Sequence, residues 1–382
     1  MKLRLSAFLL AVGFALPASL FSWEGAFFDF FEVSRSTRAA ALGGLHCALA
    51  DDESTLFSNP AGFRSVEPLF MLTQASLSLY ESAAEIAGEM FSGASPSITG
   101  VRSGTADLLG PISLSYIGKG WGFGLFGTSN LRFTSQELPV PSVSQVIEET
   151  LLLVGGRSFR IPLGAGSPST LDLGLSLVLF AAGRTRSFTD IREVFQGSTD
   201  LLSMLSNSDF YQSAQGAGIE FGLRYAYKDW FAVGVAGRNL SVEQIRVFGS
   251  FQDYLAGSPS SPSYNVLPLD LSAGIMLRPP LSRLNRMISD VLFLADYHNI
   301  FDFVTYPAGA TNPWLHIGLG LEMKLLEIIS LRAGFYQLLP SFGFGLDLSF
   351  LTLDLAYYGR ELSQEPGDYS VYCFAIGVDF RL

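Results

Sequence analysis

The sequence has little charge, little lysine and almost no cysteine. Charged residues make up 15% of its 382 residues, well below the roughly 25% that is usual in soluble globular proteins. Lysine occurs only four times and the formal net charge is −11, which argues against nucleic-acid binding. Two cysteines and three histidines without metal-ligand spacing give no basis for a metal centre, so we expect no cofactor.

Long apolar runs are also missing after the N-terminus. No segment there approaches the roughly 20 apolar residues that a membrane-spanning helix requires, although 48% of the residues are hydrophobic and 13% are aromatic. Asp, Ser, Thr or Gly interrupts the longest candidates every few residues. A chain that is so apolar and so often interrupted is typical of a transmembrane β-barrel, in which only alternate residues face lipid.

The first residues have the features of a secretory signal. Lys2 and Arg4 precede a short apolar core, and cleavage is expected between Ala18 and Ser22, as in export signals. We therefore expect a signal peptide over 1–22. No Ser/His/Asp set is recognisable by its spacing, so we do not expect an enzyme.

Alternation of apolar and polar residues dominates the rest of the chain. In 170–180, leucines at the odd positions oppose Asp172, Gly174 and Ser176. About fourteen segments show this period of two, and most are long enough for tilted spanning strands. Charges recur on the polar face, which suits a wet barrel interior better than a soluble β-sandwich. These charged residues are Glu220, Arg224, Arg238, Asp270, Arg278, Asp296, Glu322, Arg332, Asp354 and Asp379.

The connections between these segments alternate in length. Tight turns are predicted beside Lys119, Lys228 and Lys324, and outer-membrane barrels have short periplasmic turns and longer external loops. The sequence thus predicts an all-β fold, a transmembrane antiparallel up-and-down β-barrel of about 14 strands over 67–382, in the outer membrane of a bacterium. The external connections are predicted at 81–108, 134–150, 184–213, 242–263, 300–313, 337–340 and 360–369.

The last predicted strand alternates to the end of the chain. Aromatic and aliphatic residues occupy every second position from Tyr372 to Leu382. This ending resembles the signal that the barrel assembly machinery reads during insertion, with Leu382 in place of the usual terminal Phe.

An irregular segment rich in small residues separates the signal from the first strand. It contains Gly43-Gly44, an acidic run at 51–53 and an Asn-Pro-Ala triplet at 59–61. The proline fixes φ and biases the asparagine before it away from helix, while Asp51 and Asp52 either cap a helical turn or pair with lumen arginines. A barrel of about fourteen strands has a lumen that is filled or left open, and this segment suits a compact plug inside it.

Residues 38–63 resemble the N-terminal hatch of the FadL-type outer-membrane transporters. The family pattern of a glycine segment, then "ALADD", then "NPA" is matched in this stretch. The resemblance implies a hatch over 23–66 inside a barrel of about fourteen strands that carries hydrophobic compounds, typically long-chain fatty acids, by diffusion. The matched hatch residues are Gly43, Gly44, Asp51, Asp52, Asn59, Pro60 and Ala61.

Two shorter phrases, at 234–240 and 331–337, resemble the PorV-like branch of this family. Some members of that branch serve protein secretion, so the alternative function is that of a shuttle or scaffold for secreted-protein cargo. A general diffusion porin is a third hypothesis. All of them share a barrel, and the barrel alone does not decide among them.

The resemblance also points to ligand-catching loops at 184–213 and 242–263. Apolar residues exposed in external loops indicate hydrophobic capture, or else a lid of loops folded over one another. The capture candidates are Leu201, Leu202, Met204, Leu205, Phe210, Phe248, Phe251 and Tyr254.

Three lumen arginines have two possible partners. The guanidinium groups either bind the carboxylate of a fatty acid or pair with acidic residues on neighbouring strands. The arginines are Arg224, Arg238 and Arg332, and the acidic alternatives are Glu220, Asp270 and Glu322.

The remaining expectations concern the cysteines and the binding partners. Cys47 and Cys373 either form a hatch-to-wall bridge in the oxidising periplasm or stay separate thiols. Expected partners are a hydrophobic ligand, outer-membrane lipid and, during insertion, the barrel assembly machinery.

Overall fold

Antiparallel pairing joins the alternating segments into one sheet that closes on itself. The computed structural model describes residues 36–81, 103–136, 142–164, 166–190, 210–258, 260–267, 269–280, 287–305, 307 and 309–382. The expected signal peptide and residues 23–35 of the expected hatch lie outside these ranges. No helix within them is long and apolar enough to cross a membrane.

The described strands are numbered in chain order. They are β1 Leu69–Glu81, β2 Ser103–Gly118, β3 Trp121–Gln136, β4 Ser142–Pro162, β5 Ser169–Asp190, β6 Phe210–Tyr227, β7 Phe231–Phe248, β8 Ser263–Val266, β9 Asp270–Leu277, β10 Ile288–Tyr297, β11 Ile317–Leu325, β12 Ile329–Tyr336, β13 Leu339–Asp347, β14 Leu351–Glu361 and β15 Ser370–Arg381.

Short helices accompany the strands. Helix α1 (Thr37–Ala41), helix α2 (Thr55–Ser58) and a 3₁₀ helix at Pro60–Arg64 precede β1. Helix α3 (Phe251–Leu255) follows β7, while helix α4 and a second 3₁₀ helix lie between β10 and β11. The last two span Asp302–Thr305 and Pro313–His316.

Two pairings close the barrel. Strand β1 pairs with β15, and β6 pairs with β7. Strands β8 and β9 both pair with β7, so together they occupy one position of the wall. The barrel therefore has 14 wall positions and antiparallel neighbours throughout, as the sequence predicted.

The outer face of the barrel is apolar and the inner face is polar. On β5, Leu175 is 56% exposed, whereas Asp172 and Ser176 are 0% and 2% exposed. The leucines at 173, 177 and 179 are exposed as well. This arrangement confirms the predicted parity of the leucine row, and it is the inverse of a soluble fold, which buries its apolar residues.

The wall differs in height around the barrel. Strands β4 and β5 have 21 and 22 residues, whereas β12 and β13 have 8 and 9. Residues 142–150, expected in a loop, belong to β4. The prediction was wrong there because a strand that rises beyond the apolar belt has polar residues on both faces and loses its alternation.

One expected external connection is a tight turn. Only Gln337 and Leu338 join β12 to β13, and their φ values are 52° and 64°. Two residues with positive φ form the type I′ turn that suits a hairpin. The prediction of a longer external connection is therefore wrong between β12 and β13, which have only 8 and 9 residues. Below, the end of the barrel with the tight turns at Lys119 and Lys228 is called the turn end, and the opposite end the loop end.

Candidate functional site

Residues 36–66, which we call the plug, lie inside the barrel. Ser36 caps α1 by accepting a hydrogen bond from the backbone N–H of Ala39. Leu42 and Ala48 pack against inward-facing residues of the wall, among them Met276 of β9 and Leu294 of β10. The small residues of α1 are buried, which explains the alanine-rich sequence: helix and wall approach too closely for larger side chains.

The Asn-Pro-Ala triplet lies against glycines of the wall. A Cβ atom at Gly174 would stand 2.1 Å from the backbone carbon of Pro60. A Cβ atom at Gly222 would stand 1.8 Å from the side-chain oxygen of Asn59. Gly174 and Gly222 face each other across β5 and β6, so the two glycines together form a flat seat for this part of the plug.

The Gly-Gly pair is seated on the opposite wall. Gly43 and Gly44 have φ values of +79° and +113°, a conformation that other residues adopt only with strain. A Cβ atom at Gly43 would stand 2.5 Å from the carbonyl oxygen of Leu319, and one at Gly334 of β12 would stand 2.4 Å from the backbone nitrogen of Gly43. The plug thus touches both sides of the barrel, with glycine at the points of closest approach.

Asn59 links the plug to the wall by hydrogen bonds. Its Nδ2 donates to the carbonyl oxygen of Cys47 at 2.7 Å and to that of Leu223 on β6 at 3.3 Å. Its Oδ1 accepts from the N–H of Ala61 at 2.9 Å. Asn59 is completely buried, so these bonds satisfy groups that have no access to water.

Arg38 is the centre of an ionic network between plug and wall. Its Nε and Nη2 donate to the two carboxylate oxygens of Glu322 on β11 at 2.9 and 2.8 Å. Its Nη1 donates to Asp51 at 2.8 Å and also to Asp52. Asp51 in turn accepts from Arg278 at 2.7 Å. Of the two sequence alternatives, pairing with a lumen arginine is found for Asp51 and Arg278, while Asp52 pairs with Arg38 of the plug and accepts from the N–H of Ser54 without capping helix α2.

Burial and charge shift the pKa values of the plug groups in opposite directions. Burial alone raises the pKa of Asp51, but the Arg38 guanidinium outweighs it and holds that pKa well below its usual range. Burial, and then the neighbouring Asp52 and Asp379, raise the pKa of Glu53 well above its usual value. The plug therefore carries one carboxyl group stabilised as an anion and one stabilised in its protonated form.

Two of the three predicted lumen arginines pair with wall carboxylates. Arg238 pairs with Asp270, and Arg332 donates to Glu322 at 2.6 Å and to Asp354. Asp270 and Glu322 are among the acidic partners that the sequence offered as the alternative to a bound carboxylate, whereas Asp354 was not.

Arg224 differs from the other two arginines. Its Nε donates to the carbonyl oxygen of Ala48 at 2.8 Å and its Nη1 to the hydroxyl of Ser65 at 2.9 Å. Glu220, one of the three expected acidic partners, accepts a hydrogen bond from Ser176. Arg224 therefore donates to neutral oxygens, and it lines a cavity of about 750 Å³ at the turn end of the barrel.

The inner wall is apolar on the side opposite the ionic network. Inward-facing residues of β2 to β5 form one buried cluster with apolar side chains of the plug. The rings of Phe57 in the plug and Phe126 in the wall are 4.8 Å apart. The wall members of the cluster are Leu109, Ile117, Phe126, Leu152, Val154, Val178 and Phe180, and the plug members are Ala39, Leu45, Ala50, Leu56, Phe57, Phe63 and Val66.

Three of the four capture candidates that the structure describes, Phe248, Phe251 and Tyr254, form an aromatic cluster with Tyr211. The ring of Tyr254 lies 4.8 Å from that of Tyr211 and 5.4 Å from that of Phe248, and Phe251 lies 5.0 Å from Tyr211. Phe210 and Phe248 are strand residues, at the loop ends of β6 and β7, and not loop residues as expected. Leu201, Leu202, Met204 and Leu205 lie outside the described residues.

The aromatic cluster is on the outer face of the wall. Tyr211 is paired across the sheet with Thr185 of β5 and with Phe248 of β7. Thr185 and the exposed Leu179 are an even number of residues apart on β5, so their side chains point to the same face of the wall. The side chains opposite one another in a sheet point to the same face. The cluster therefore does not cover the lumen, which a capture loop above the plug would do.

The cysteines and histidines have structural partners. Cys47 and Cys373 are both buried and unbridged. His46 Nδ1 lies 2.6 Å from the Asp296 carboxylate, and His316 Nδ1 lies 2.9 Å from the backbone oxygen of His298. No group of three metal-ligating side chains occurs in the described part of the chain.

Comparisons with known proteins agree with this architecture. No protein-family model and no curated protein matches the sequence. Among solved structures, a mutant of the TodX monoaromatic hydrocarbon channel has a TM-score of 0.51 at 13% identity, with 93% of this chain and 99% of that chain covered.

Two further solved structures are similar at lower scores. The Ralstonia pickettii toluene transporter TbuX has a TM-score of 0.49 at 12% identity, covering 89% of this chain and 96% of that chain. A Pseudomonas aeruginosa FadL homologue has a TM-score of 0.44 at 14% identity, covering 91% and 98%. In fold, this chain is similar to the TodX channel, as a closed antiparallel barrel with 14 wall positions.

Proposed function

We propose that this chain is a member of the FadL-type family and a channel for hydrophobic small molecules, not an enzyme. The fold shared with the TodX channel supports this proposal. The observation that carries it is the two-sided lumen, in which one wall holds the plug by ion pairs and the opposite wall covers it with apolar side chains. We propose long-chain fatty acids as the first substrate class to test.

The plug provides a route for the ligand. Phe57, Phe63 and Leu56 of the plug cover Phe126 and Leu152 of the wall. A hydrophobic ligand can take the place of these plug side chains against the wall. The apolar surface of the wall then stays covered and away from water, so replacing the side chains by the ligand costs little free energy. A polar solute gains nothing from this surface and finds the lumen filled.

The outer belt supports an outer-membrane location. Exposed leucines and phenylalanines surround the barrel, and such a belt is stable only in lipid. We propose that the turn end faces the periplasm, that residues 1–22 are a signal peptide and that the barrel over 67–382 is inserted by the assembly machinery. We propose a hatch over 23–66, of which residues 36–66 are the plug in the lumen.

Arg224 supports a ligand with an acidic head group. Arg238 and Arg332 are already paired with carboxylates, whereas Arg224 donates to a carbonyl and a hydroxyl at the turn-end cavity. A carboxylate that passes the plug on its way to the periplasm would meet this guanidinium, and an anionic acceptor adds a charge attraction that the neutral carbonyl and hydroxyl oxygens lack.

Native extraction followed by mass spectrometry tests the proposal. We expect a hydrophobic small molecule bound to the purified protein, and we expect added oleate to displace it. A preparation that carries secreted proteins and no small molecule would support the PorV-like shuttle instead. A large steady conductance in planar bilayers would support an open porin, because the seated plug predicts a nearly silent channel.

A further inference from the structure

The outer face of the tall wall carries a cavity separate from the lumen. It has a volume of about 710 Å³ and lies on β3 to β7, within the roughly 300–1,000 Å³ of sites that bind small molecules. Leu151, Ala181 and Gln215 lie side by side in its lining. All three are exposed, and they alternate with buried inward-facing residues such as Leu152 and Phe180. The cavity therefore faces the surroundings of the barrel.

The cavity lies at the upper limit of the apolar belt. On β4 the outward residues change from Leu153 and Leu151 to Glu149, and on β7 they change from Val242 to Gln244. In a barrel inserted in a membrane, this change marks the level at which hydrocarbon gives way to lipid head groups. The position rests on the outer-membrane location proposed above, but not on transport.

A polar row crosses the cavity at this level. Gln215 Nε2 donates to Gln244 Oε1 at 2.8 Å, and Gln244 Nε2 donates to the hydroxyl of Tyr264 at 2.7 Å. Arg246 lies one outward position higher and is exposed, and none of the described carboxylates forms an ion pair with it. Amide, phenol and guanidinium groups at two successive outward positions form a surface suited to several hydroxyl or anionic oxygens at once.

Helix α3 forms a roof over the cavity. Ser250 caps the helix through its bond from the Asp253 N–H, and Ser260 donates to the carbonyl oxygen of Val247 at 2.7 Å. The loop is therefore folded back onto the wall. Tyr254 lines the cavity and packs on Tyr211 and Phe248, so an apolar aromatic face lies directly above the polar row.

We propose that this cavity binds the sugar head group of an outer-leaflet glycolipid. The aromatic roof offers a flat face to a sugar ring, the glutamines and Arg246 bind its hydroxyl and acidic oxygens, and its acyl chains lie along the leucines below. A transported hydrocarbon would leave the polar row unused. The aromatic residues expected to catch ligand thus hold a lipid of the surrounding membrane, which anchors the tall wall.

Mass spectrometry of lipids retained by the purified full-length protein tests this proposal. Ala181→Trp fills the floor of the cavity, and Leu179→Trp is the matched control, because Leu179 is the next outward residue on the same strand and faces the belt. We expect the parent and Leu179→Trp to retain glycolipid, and Ala181→Trp to retain about tenfold less, the loss that follows from removing a modest part of a binding free energy.

A second variant separates binding from folding. Arg246→Ala leaves the wall intact and should also reduce glycolipid retention, while a shift between folded and heat-denatured gel mobility confirms that each variant forms a barrel. Equal glycolipid retention by all four proteins would overturn the proposal. The proposal would also be overturned if the parent protein retained phospholipid or labelled oleate in preference to glycolipid, and if Ala181→Trp lost that ligand.

Discussion

Arg38 of the plug and Glu322 of β11 form a two-pronged ion pair across the lumen, with N–O distances of 2.9 and 2.8 Å. The side chains are only 12% and 2% exposed. A buried ion pair adds little net stability over an apolar pair, but removing one partner leaves an uncompensated buried charge. The pair therefore acts as a lock that fixes the position of the plug.

Replacing Arg38 should release the plug. In Arg38→Gln, Asp52 loses the cation that pairs with it, while Glu322 and Asp51 keep only Arg332 and Arg278, at a cost of up to about 3–5 kcal/mol. Cys47 reports the release, because it is 3% exposed and burial raises the pKa of its thiol, which leaves little reactive thiolate. We expect maleimide to label Cys47 rapidly in the variant, measured in a Cys373→Ser background, and slowly in the parent.

Arg157→Gln is the charge-matched control for that experiment. Arg157 stacks on Trp121 and Phe159 on the outer face, with its guanidinium carbon 4.5 and 4.9 Å from the ring centres. Its loss should leave Cys47 protected. Equal labelling of Arg38→Gln and Arg157→Gln would show that Arg38 does not hold the plug.

A single methyl group should also unseat the plug. Gly174→Ala places a Cβ atom 2.1 Å from the Pro60 backbone, and overpacking of this kind costs about 1–3 kcal/mol. Gly155→Ala is the control, since the nearest atom to its Cβ is 3.6 Å away. Hydrogen exchange over 55–63 should rise in Gly174→Ala only, and unchanged exchange in both proteins would contradict the glycine seat.

Asp51 should stabilise the plug at neutral pH and lose that effect in acid. Its pKa is lowered in the folded protein, so its contribution is present above the unfolded value of about 3.9 and is lost as pH falls through the folded pKa. Asp51→Asn should therefore increase hydrogen exchange of the plug at pH 7 and have much less effect in strong acid. A variant effect of the same size at every pH would exclude this linkage.

Glu53 should behave with the opposite sign. Its pKa is raised, so the stability gained from its protonated form is present below the unfolded value of about 4.3 and is lost as pH rises through the folded pKa. Glu53→Gln should reduce exchange of the plug at pH 8 and change nothing at pH 4. Glu67→Gln, at an exposed position before β1, is the control, and a plug weakened by Glu53→Gln at pH 8 would refute the assignment.

Many of the wall strands could be predicted because alternate residues face lipid, where apolar side chains are required, and the lumen, where polar side chains are found. Leu171 to Leu179 on one face and Asp172 and Ser176 on the other fix the register without any knowledge of the partners. The pairing of Arg238 with Asp270 follows from the same parity. Above the belt both faces are polar, so residues 142–150 and 181–190 gave no strand signal.

The plug contacts could not be predicted in the same way. Arg38 is the only arginine or lysine in 36–63, which is a weak signal, and its partner Glu322 lies 284 residues away. The wall glycines at 174, 222 and 334 look like ordinary strand glycines until the plug is placed against them. The packing of Tyr254 on Tyr211 depends on how the loop after β7 folds back onto the wall, which no periodicity reports.

Uptake of labelled oleate by a bacterial strain that lacks its own fatty-acid channel tests the central claim most directly, with labelled toluene as a second ligand. Cells that express this chain, with the barrel confirmed by its heat-dependent gel mobility, should take up at least one of these compounds faster than cells with the empty vector. Rates equal to the vector for both ligands, from a correctly inserted barrel, would contradict a channel for hydrophobic small molecules.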